Sequence, residues 1–409
     1  MPPAPQTPRM VGDGRREANA ALVLRAVLDH GPVARSAVAR LSGLSPAAVS
    51  RQATDLTRLG LLRELPGPAG AGGVGRPRIP VDLHLGASGG PVAGGVHLGV
   101  PASTLGLVDL RGRVLARRLV PHDGLAPDRL PATVAAELRA FLDAHVGTRP
   151  LLGVGAALGG RVDPEAGTVV RHDALRWHHR PLAAELSRAL HGLPVRVDNH
   201  ARAIAQSEIL FGRPAARRSL VHLFVGNVVD AALGIAGVVH HGPGSAAGDV
   251  AHLPVPDSTV PCPCGRSGCL EATASNTAVA RTALRRGIVP EADYFLVVDA
   301  AAAGDRRADR LLRERARVVG RAAALLLDIA NPDLLLVTEY AALLDPEYLE
   351  EIRGAAVDLS YVCDDPERVV GPHAGPATLP VAAGTVLLNP LFRAPLRAMR
   401  EVAAADRNG

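Results

Sequence analysis

His252, Cys262, Cys264 and Cys269 carry the most specific chemistry in the chain. They lie in the stretch AGDVAHLPVPDSTVPCPCGRSGCLEATASN, residues 247–276. Three of the four cysteines of the chain fall within eight positions there. Three thiolates and one imidazole satisfy four-coordinate zinc and leave no open position, so the cluster reads as a structural zinc site. A disulfide framework is the competing reading. The N-terminus, MPPAPQTPRMVGDGRREAN, is polar and has no secretory apolar region. No apolar run approaches the roughly 18 residues that span a membrane. The expectation is therefore a cytoplasmic chain without a membrane partner, whose reduced thiols favour metal. The remaining Cys363 reads as an ordinary semi-buried thiol.

A second chemistry lies in the N-terminal fifth. Residues 1–85 hold 11 arginines against six carboxylates, a net charge of +5, which is also the charge of the whole chain. The other residues therefore sum to zero. A basic module on a neutral body is the electrostatic footprint of DNA binding. The chain has no lysine, which reflects codon usage in a G+C-rich coding sequence. Aromatic residues make up only 2% of the chain, too few to build stacking platforms for single strands.

The elements that would position this basic module are legible. Apolar residues at helical spacing (Ala20, Val23, Leu24, Val27, Leu28) predict a helix over 16–28, which Gly31-Pro32 ends. A short helix over 35–41 leads to a Ser42-Gly43-Leu44 turn. Ser45 as N-cap and Pro46 at the first helical position open another helix to about residue 59, burying Val49, Ala53 and Leu56. This is a helix-turn-helix. Its second helix would present Ser45, Pro46, Ala47, Ser50, Arg51 and Thr54 to the major groove. Residues 61–65 and 79–85 alternate as two strands of a wing around PGPAGAGGVGRPR, residues 66–78. Arg76 and Arg78 flank a proline that holds the chain extended, a geometry suited to a narrow minor groove. A helical bundle for protein contact and a plain interdomain linker are the alternatives for these two segments.

The body reads as three antiparallel strands (GGVHLGV, STLGLVDL, RVLARRLV), a helix over 130–146, a buried strand LLGVGAAL, a helix over 181–190, a strand VRV and a helix from about residue 201. Strand pairs recur over 219–240. Long helices, notably 306–329, and a strand LLLV follow. Two similar halves imply a duplicated α/β fold with a cleft between two lobes.

At this point the chain resembles the ROK family of repressors, open reading frames and sugar kinases. The likeness rests on the His, Cys, Cys, Cys order and on GVGAALGGRVDPEAGTVV, VDNHARAIAQSEILFG and GPGSAAGDVAHLPV. It implies an α/β fold: an N-terminal winged helix-turn-helix over 1–85, then a two-lobed actin-like ATPase domain over 86–409. The lobes would cover about 91–200 and 201–395, with a C-terminal helix able to return to the first lobe. The family's sugar contacts map onto Asn199, Asp249, His252 and Glu271, with Asp249 where glutamate is usual and Ala174 where asparagine is expected. The family's kinases open with an Asp-x-Gly-Gly-Thr-like loop, where this chain has His97 and Pro101. Their second phosphate loop is Gly-rich, where this chain reads Gly226-Asn227-Val228-Val229-Asp230-Ala231. A late Gly-Gly is Thr338-Glu339, and the catalytic aspartate after Asn199 is His200. These losses remove the ATP cradle and the carboxylate base. His200 is expected to be a hydrogen-bond partner in the cleft or plain packing. Trp177 is expected to be a core anchor rather than a cleft lining. The implied function is a sequence-specific transcriptional regulator, a repressor and not an enzyme. It would bind a double-stranded inverted-repeat operator as a homodimer or homotetramer and respond to a sugar or sugar derivative. The alternative is an ATP-dependent sugar kinase with an appended DNA-binding module.

Overall fold

The computed structural model describes residues 8–66 and 79–405. The N-terminal module comprises α1 (Pro8–His30), β1 (Val33–Ala34), α2 (Arg35–Ser42), α3 (Pro46–Arg58), β2 (Leu62–Glu64) and β3 (Pro80–Leu83). The Ser45 hydroxyl accepts a hydrogen bond from the Ala48 amide at 3.3 Å and caps α3. Val49, Ala53 and Leu56 are buried, as the helical spacing predicts. The wing is a three-stranded sheet in the order β1-β3-β2, one short strand more than the alternation predicts. Arg76 and Arg78 lie outside the described residues.

Two five-stranded sheets form the body, and they share one topology. The first orders β11 (Val195–Asn199), β7 (Leu151–Leu158), β4 (Val92–Leu98), β5 (Ala102–Asp109) and β6 (Val114–Pro121). The second orders β14 (Val238–Val239), β13 (Val229–Ile235), β12 (Ser219–Val225), β15 (Leu334–Glu339) and β16 (Val369–Val370). In each, three strands meander antiparallel and two further strands join parallel to the first of the three. The duplication expected from the sequence is therefore present strand for strand. A small sheet of β8 (Arg161–Asp163), β9 (Thr168–His172) and β10 (Trp177–Arg180) is added to the first lobe.

Helices α4 (Leu130–His145) and α5 (Leu182–Ala189) cover the outer face of the first sheet. Trp177 is 2% exposed in that core, and its indole N–H donates to the Pro127 carbonyl at 3.2 Å. On the second lobe α7 (Leu270–Ala274), α8 (Asn276–Arg285), α9 (Tyr294–Ala302), α10 (Arg306–Ala330), α11 (Tyr340–Leu344) and α12 (Pro346–Leu359) succeed one another. Of these, α7, α10 and α12 pack on the outer face of its sheet. Cys363 is buried in that core. Between the lobes, α6 (His200–Phe211) lies on β12 and β13, while α13 (Thr378–Arg393) lies on β4, β5 and β7. The two helices pack against each other. A side chain at Gly155 on β7 would strike the Ala383 carbonyl of α13, so the strand can approach the helix only without a Cβ. Among the described residues no single helix is long and apolar enough to cross a membrane.

The N-terminal module does not stand apart. Val23, Leu24 and Val27 of α1 share one apolar core with Leu387, Leu388, Leu391 and Phe392 of α13 and Leu396 of α14 (Pro395–Ala405). Polar contacts ring this core. Arg111, in the β5–β6 turn, donates to the Leu28 carbonyl at 2.7 Å, the Gly31 carbonyl at 3.2 Å and the Asp82 carboxylate at 2.5 Å. Arg217 meets Asp29 through two hydrogen bonds of 2.8 and 3.0 Å. Glu17 accepts from the Leu396 amide at 2.7 Å and so caps α14. Replacing Arg111 with Met should leave buried Asp82 unpaired, at a cost on the order of 3 kcal/mol. Hydrogen exchange should then rise in α1 and β3 while the two large sheets stay protected. Unchanged exchange in α1 would mean that the apolar core alone docks the module.

Candidate functional site

The loop from β14 to α7 brings the four thiol and imidazole ligands together. His252, Cys262, Cys264 and Cys269 place their ligand atoms within 4.8 Å of one another. Cys262 Sγ lies 3.7 Å from His252 Nδ1, and Cys264 Sγ lies 3.6 Å from Cys269 Sγ. Tetrahedral bonds of about 2.3 Å to sulfur and 2.0–2.1 Å to nitrogen put neighbouring ligands at roughly these separations. A tight turn shapes the loop: Cys262 N–H donates to the Arg266 carbonyl at 2.8 Å, and Gly265 N–H returns to the Cys262 carbonyl at 3.0 Å. Gly268 sits at φ +71°, and a Cβ there would run into the Ser258 carbonyl. Arg266 beside Cys264 lowers its thiol to about 6, whereas burial pushes Cys269 up to about 11. A shared cation would compensate the charge of thiolates gathered this closely. The cluster therefore fits a metal ion with soft-ligand preference.

The residues that the resemblance links to sugar meet in part. Asn199 ends β11 and caps α6, its side-chain oxygen accepting from the Ala201 amide at 2.8 Å and the Arg202 amide at 3.2 Å. Its amide group donates to the Gly160 carbonyl at 2.8 Å and to Asp230 at 3.1 Å. Glu271, two residues after Cys269, accepts from the Val229 amide at 3.0 Å. Burial pushes its carboxyl up to about 7, helped by the nearby carboxylates Asp230, Asp173 and Asp249. Asp249 itself is exposed. His252 turns Nδ1 to the thiols, which leaves Nε2 as the only ring atom for another contact.

A histidine-rich set that no local motif announces lines the space between the lobes. His97 Nε2 lies 3.3 Å from His200 Nδ1, and His200 Nε2 lies 3.0 Å from Asp230 Oδ2. The Asp230 carboxylate accepts from His200 Nε2. Burial alone would raise the Asp230 carboxyl, but hydrogen bonds from His200 and Asn199 hold it below the usual range. Burial drives His97 down to about 3 and His172 down to about 4. His222, which lies between the Ala201 carbonyl and the Thr338 hydroxyl at 2.9 Å each, falls to about 4 for the same reason. These four histidines lie up to 125 residues apart in the chain. In the sequence His97 and His200 stood out only as departures from the resembled kinase motifs, and His172 and His222 gave no signal.

On the N-terminal module, Ser45, Pro46, Ala47, Ser50, Arg51 and Thr54 all lie exposed on one face of α3. Arg15 and Arg58 join Arg51 around a shallow concavity on that face. Arg16 is held there by Asp55 at 2.8 Å.

The ROK family description matches residues 93–359. A transcriptional regulator of Mycobacterium tuberculosis is 36% identical over 402 residues, covering 95% of this chain and 89% of its own length. The chain belongs to the ROK family. The xylose repressor of Caldicellulosiruptor bescii is 27% identical over 367 residues, covering 85% of this chain and 89% of its own. The N-acetylglucosamine repressor of Escherichia coli O6:H1 is 26% identical over 336 residues, covering 79% and 80%. Among solved structures, a ROK regulator homologous to the Escherichia coli MLC protein superposes with TM-score 0.74 at 23% identity, over 95% of this chain and all of that one. That likeness extends the shared fold through the N-terminal module. A ROK glucokinase from Streptomyces griseus, solved with glucose and AMPPNP, superposes with TM-score 0.62 at 26% identity, over 71% of this chain and 98% of its own.

The departures from the ROK kinase motifs are built into the structure. His200 is committed to Asp230 and His97. Glu339, at the late Gly-Gly position, is 4% exposed and receives Arg315 and the Tyr294 hydroxyl, each at 2.6 Å. Its second oxygen caps α11 through the Ala342 amide at 2.8 Å. Arg315 also donates to Asn276 at 2.7 Å and to the Ala274 carbonyl at 2.8 Å. An ion pair so satisfied is part of the floor of the second lobe. The buried histidines set an acid limit. The folded values of His97, His172 and His222 lie below the ordinary 6.5, so the unfolded chain binds more protons under pH 6.5. Their stabilisation is fully present above pH 6.5 and is lost as pH falls toward 4. Each contributes a slope of up to about 1.4 kcal/mol per pH unit. Melting between pH 7 and 4.5 should show this fall, and His222→Gln should flatten it by about one proton; an unchanged slope would refute neutral burial of His222.

Proposed function

We propose that this chain is a DNA-binding transcriptional regulator that acts as a repressor and carries out no phosphoryl transfer. The exposed face of α3, with Arg51 and Arg58 and the neighbouring Arg15 of α1, carries this reading. In a homodimer or homotetramer, two such helices would enter successive major grooves of an inverted-repeat operator in the cytoplasm. Arg51 would read guanine or phosphate, Ala47 a thymine methyl, and Ser45, Pro46, Ser50 and Thr54 would position the helix. Arg76 and Arg78 would reach the adjacent minor groove. The loss of a carboxylate at position 200 and the burial of Glu339 in an ion pair support the non-enzymatic reading. ATP-dependent turnover of a hexose, abolished by Asn199→Ala, would favour the sugar-kinase alternative instead.

Relatives named for xylose and N-acetylglucosamine support a sugar or sugar derivative as the effector class. Asn199, Asp249, His252 and Glu271 would contact its hydroxyls. Zinc would be held by His252, Cys262, Cys264 and Cys269, and when bound it supplies a closed, structural cross-link. Those residues tie the loop to the start of α7, two positions from Glu271, and orient the His252 ring. Effector entry would change the angle between the lobes, provided that the ligand binds the two states with different affinity. Because α1 is docked on α13 and α14, a change at the lobe interface would alter the spacing of the two α3 helices.

Arg51→Ala should weaken operator binding by about 1–3 kcal/mol, read by fluorescence anisotropy, with little loss on unrelated DNA. Equal loss on both DNAs would make Arg51 a phosphate contact only. Cys264→Ala should lower zinc content from one equivalent per chain toward zero, read by elemental analysis, and should lower the melting temperature of the second lobe. Full zinc content in that variant would reject the assigned ligand set.

A further inference from the structure

A cavity of about 600 Å³ opens between the lobes, and none of Asn199, Asp249, His252 and Glu271 lines it. Its walls come from β6, from the turn between β12 and β13, from α9 and α11, and from the segment leading into α13. Large apolar side chains that water would otherwise cover gather at its mouth. Leu119 is 64% exposed, Leu344 55%, Phe295 41% and Tyr340 39%. Phe295 and Tyr340 meet edge to face with ring centroids 5.1 Å apart and form an aromatic wall. Single exposed apolar residues are ordinary, but four from three separate elements around one concavity form a binding surface.

The charges around the cavity narrow the ligand. Among the described residues no carboxylate lines it, and the only arginines that do are Arg117 and Arg118. Glu137 neutralises Arg118 at 2.7 Å. Among the described residues, Arg117 meets only the Pro376 carbonyl, at 3.5 Å. His97, on the floor, is held neutral by burial and is spent on His200. One uncommitted cation at the rim of an apolar chamber suits one negative charge and not a polyphosphate.

We propose that this cavity binds a small monoanionic amphiphile, with an acyl or aromatic body against Leu119, Leu344, Phe295 and Tyr340 and its acidic head at Arg117. This goes beyond the sugar-effector reading and does not depend on it, because binding here is measured without DNA or sugar. The purified full chain is titrated with 8-anilinonaphthalene-1-sulfonate, followed by fluorescence, and the probe is displaced with dodecanoate or with the uncharged dodecanol. Saturable binding of one probe per chain is expected. The double variant Leu119→Ser/Leu344→Ser changes only exposed positions, so its melting temperature should match the parent; its dodecanoate affinity should fall at least about tenfold. Arg117→Gln should weaken dodecanoate about tenfold and leave dodecanol within about twofold. Absence of saturable binding, or equal affinity in the double variant, would overturn the proposal. So would a double variant that loses its oligomeric state in sedimentation while probe binding persists, since the apolar rim would then be a subunit contact.

Discussion

The packing of α1 against α13 and α14 is the constraint on which the rest of the molecule depends. An apolar helix face at the start of the chain is covered by helices at its end, and the same α13 closes the inner face of the first sheet. Burial of this kind is non-directional, so position is set by what surrounds it. Arg111, Arg217 and Glu17 supply that direction by bonding to the helix C-terminus, to Asp29 and to the start of α14. The module that carries the basic α3 face is thereby a fixed extension of the first lobe and not a tethered bead.

Buried polar groups at the inner ends of the two sheets are paired with one another. Asp230 is hydrogen-bonded by Asn199, by His200 and by the Gly160 amide at 3.2 Å. Glu339 is consumed by Arg315, Tyr294 and the first turn of α11. A buried charge is tolerated only when it is paired and hydrogen-bonded. Gly155 serves helix–sheet contact.

Much of the fold was legible in local pattern. Ser45-Pro46 and the spacing of Val49, Ala53 and Leu56 defined α3 and its exposed face. The three antiparallel strands and the recurrence after residue 219 foretold two lobes. The cysteine spacing singled out four candidate metal ligands, whose donor atoms the structure brings within 4.8 Å of one another. Local pattern was silent where partners are distant in sequence. The β1 strand is two residues long and exists only because β3 lies beside it. Helix α1 runs to residue 8, beyond the start its apolar spacing suggests. The histidine network joins residues from both lobes and has no periodicity to betray it.

By itself the sequence determined the His/Cys grouping of the cysteine loop, the absence of a carboxylate at position 200, the basic excess of the first 85 residues and the two helices α2 and α3 with their turn. These depend on residue type and on spacing along one element, where geometry is nearly invariant. Tertiary structure alone decided that His97, His200 and Asp230 form one chain of hydrogen bonds, that Glu339 is neutralised by Arg315, and that the N-terminal module is clamped to the C-terminal helices. Those outcomes depend on how a duplicated sheet folds two lobes around α6 and α13, and on contacts between residues as many as about 380 positions apart. Burial and pairing are properties of that arrangement, and no window of sequence contains both partners.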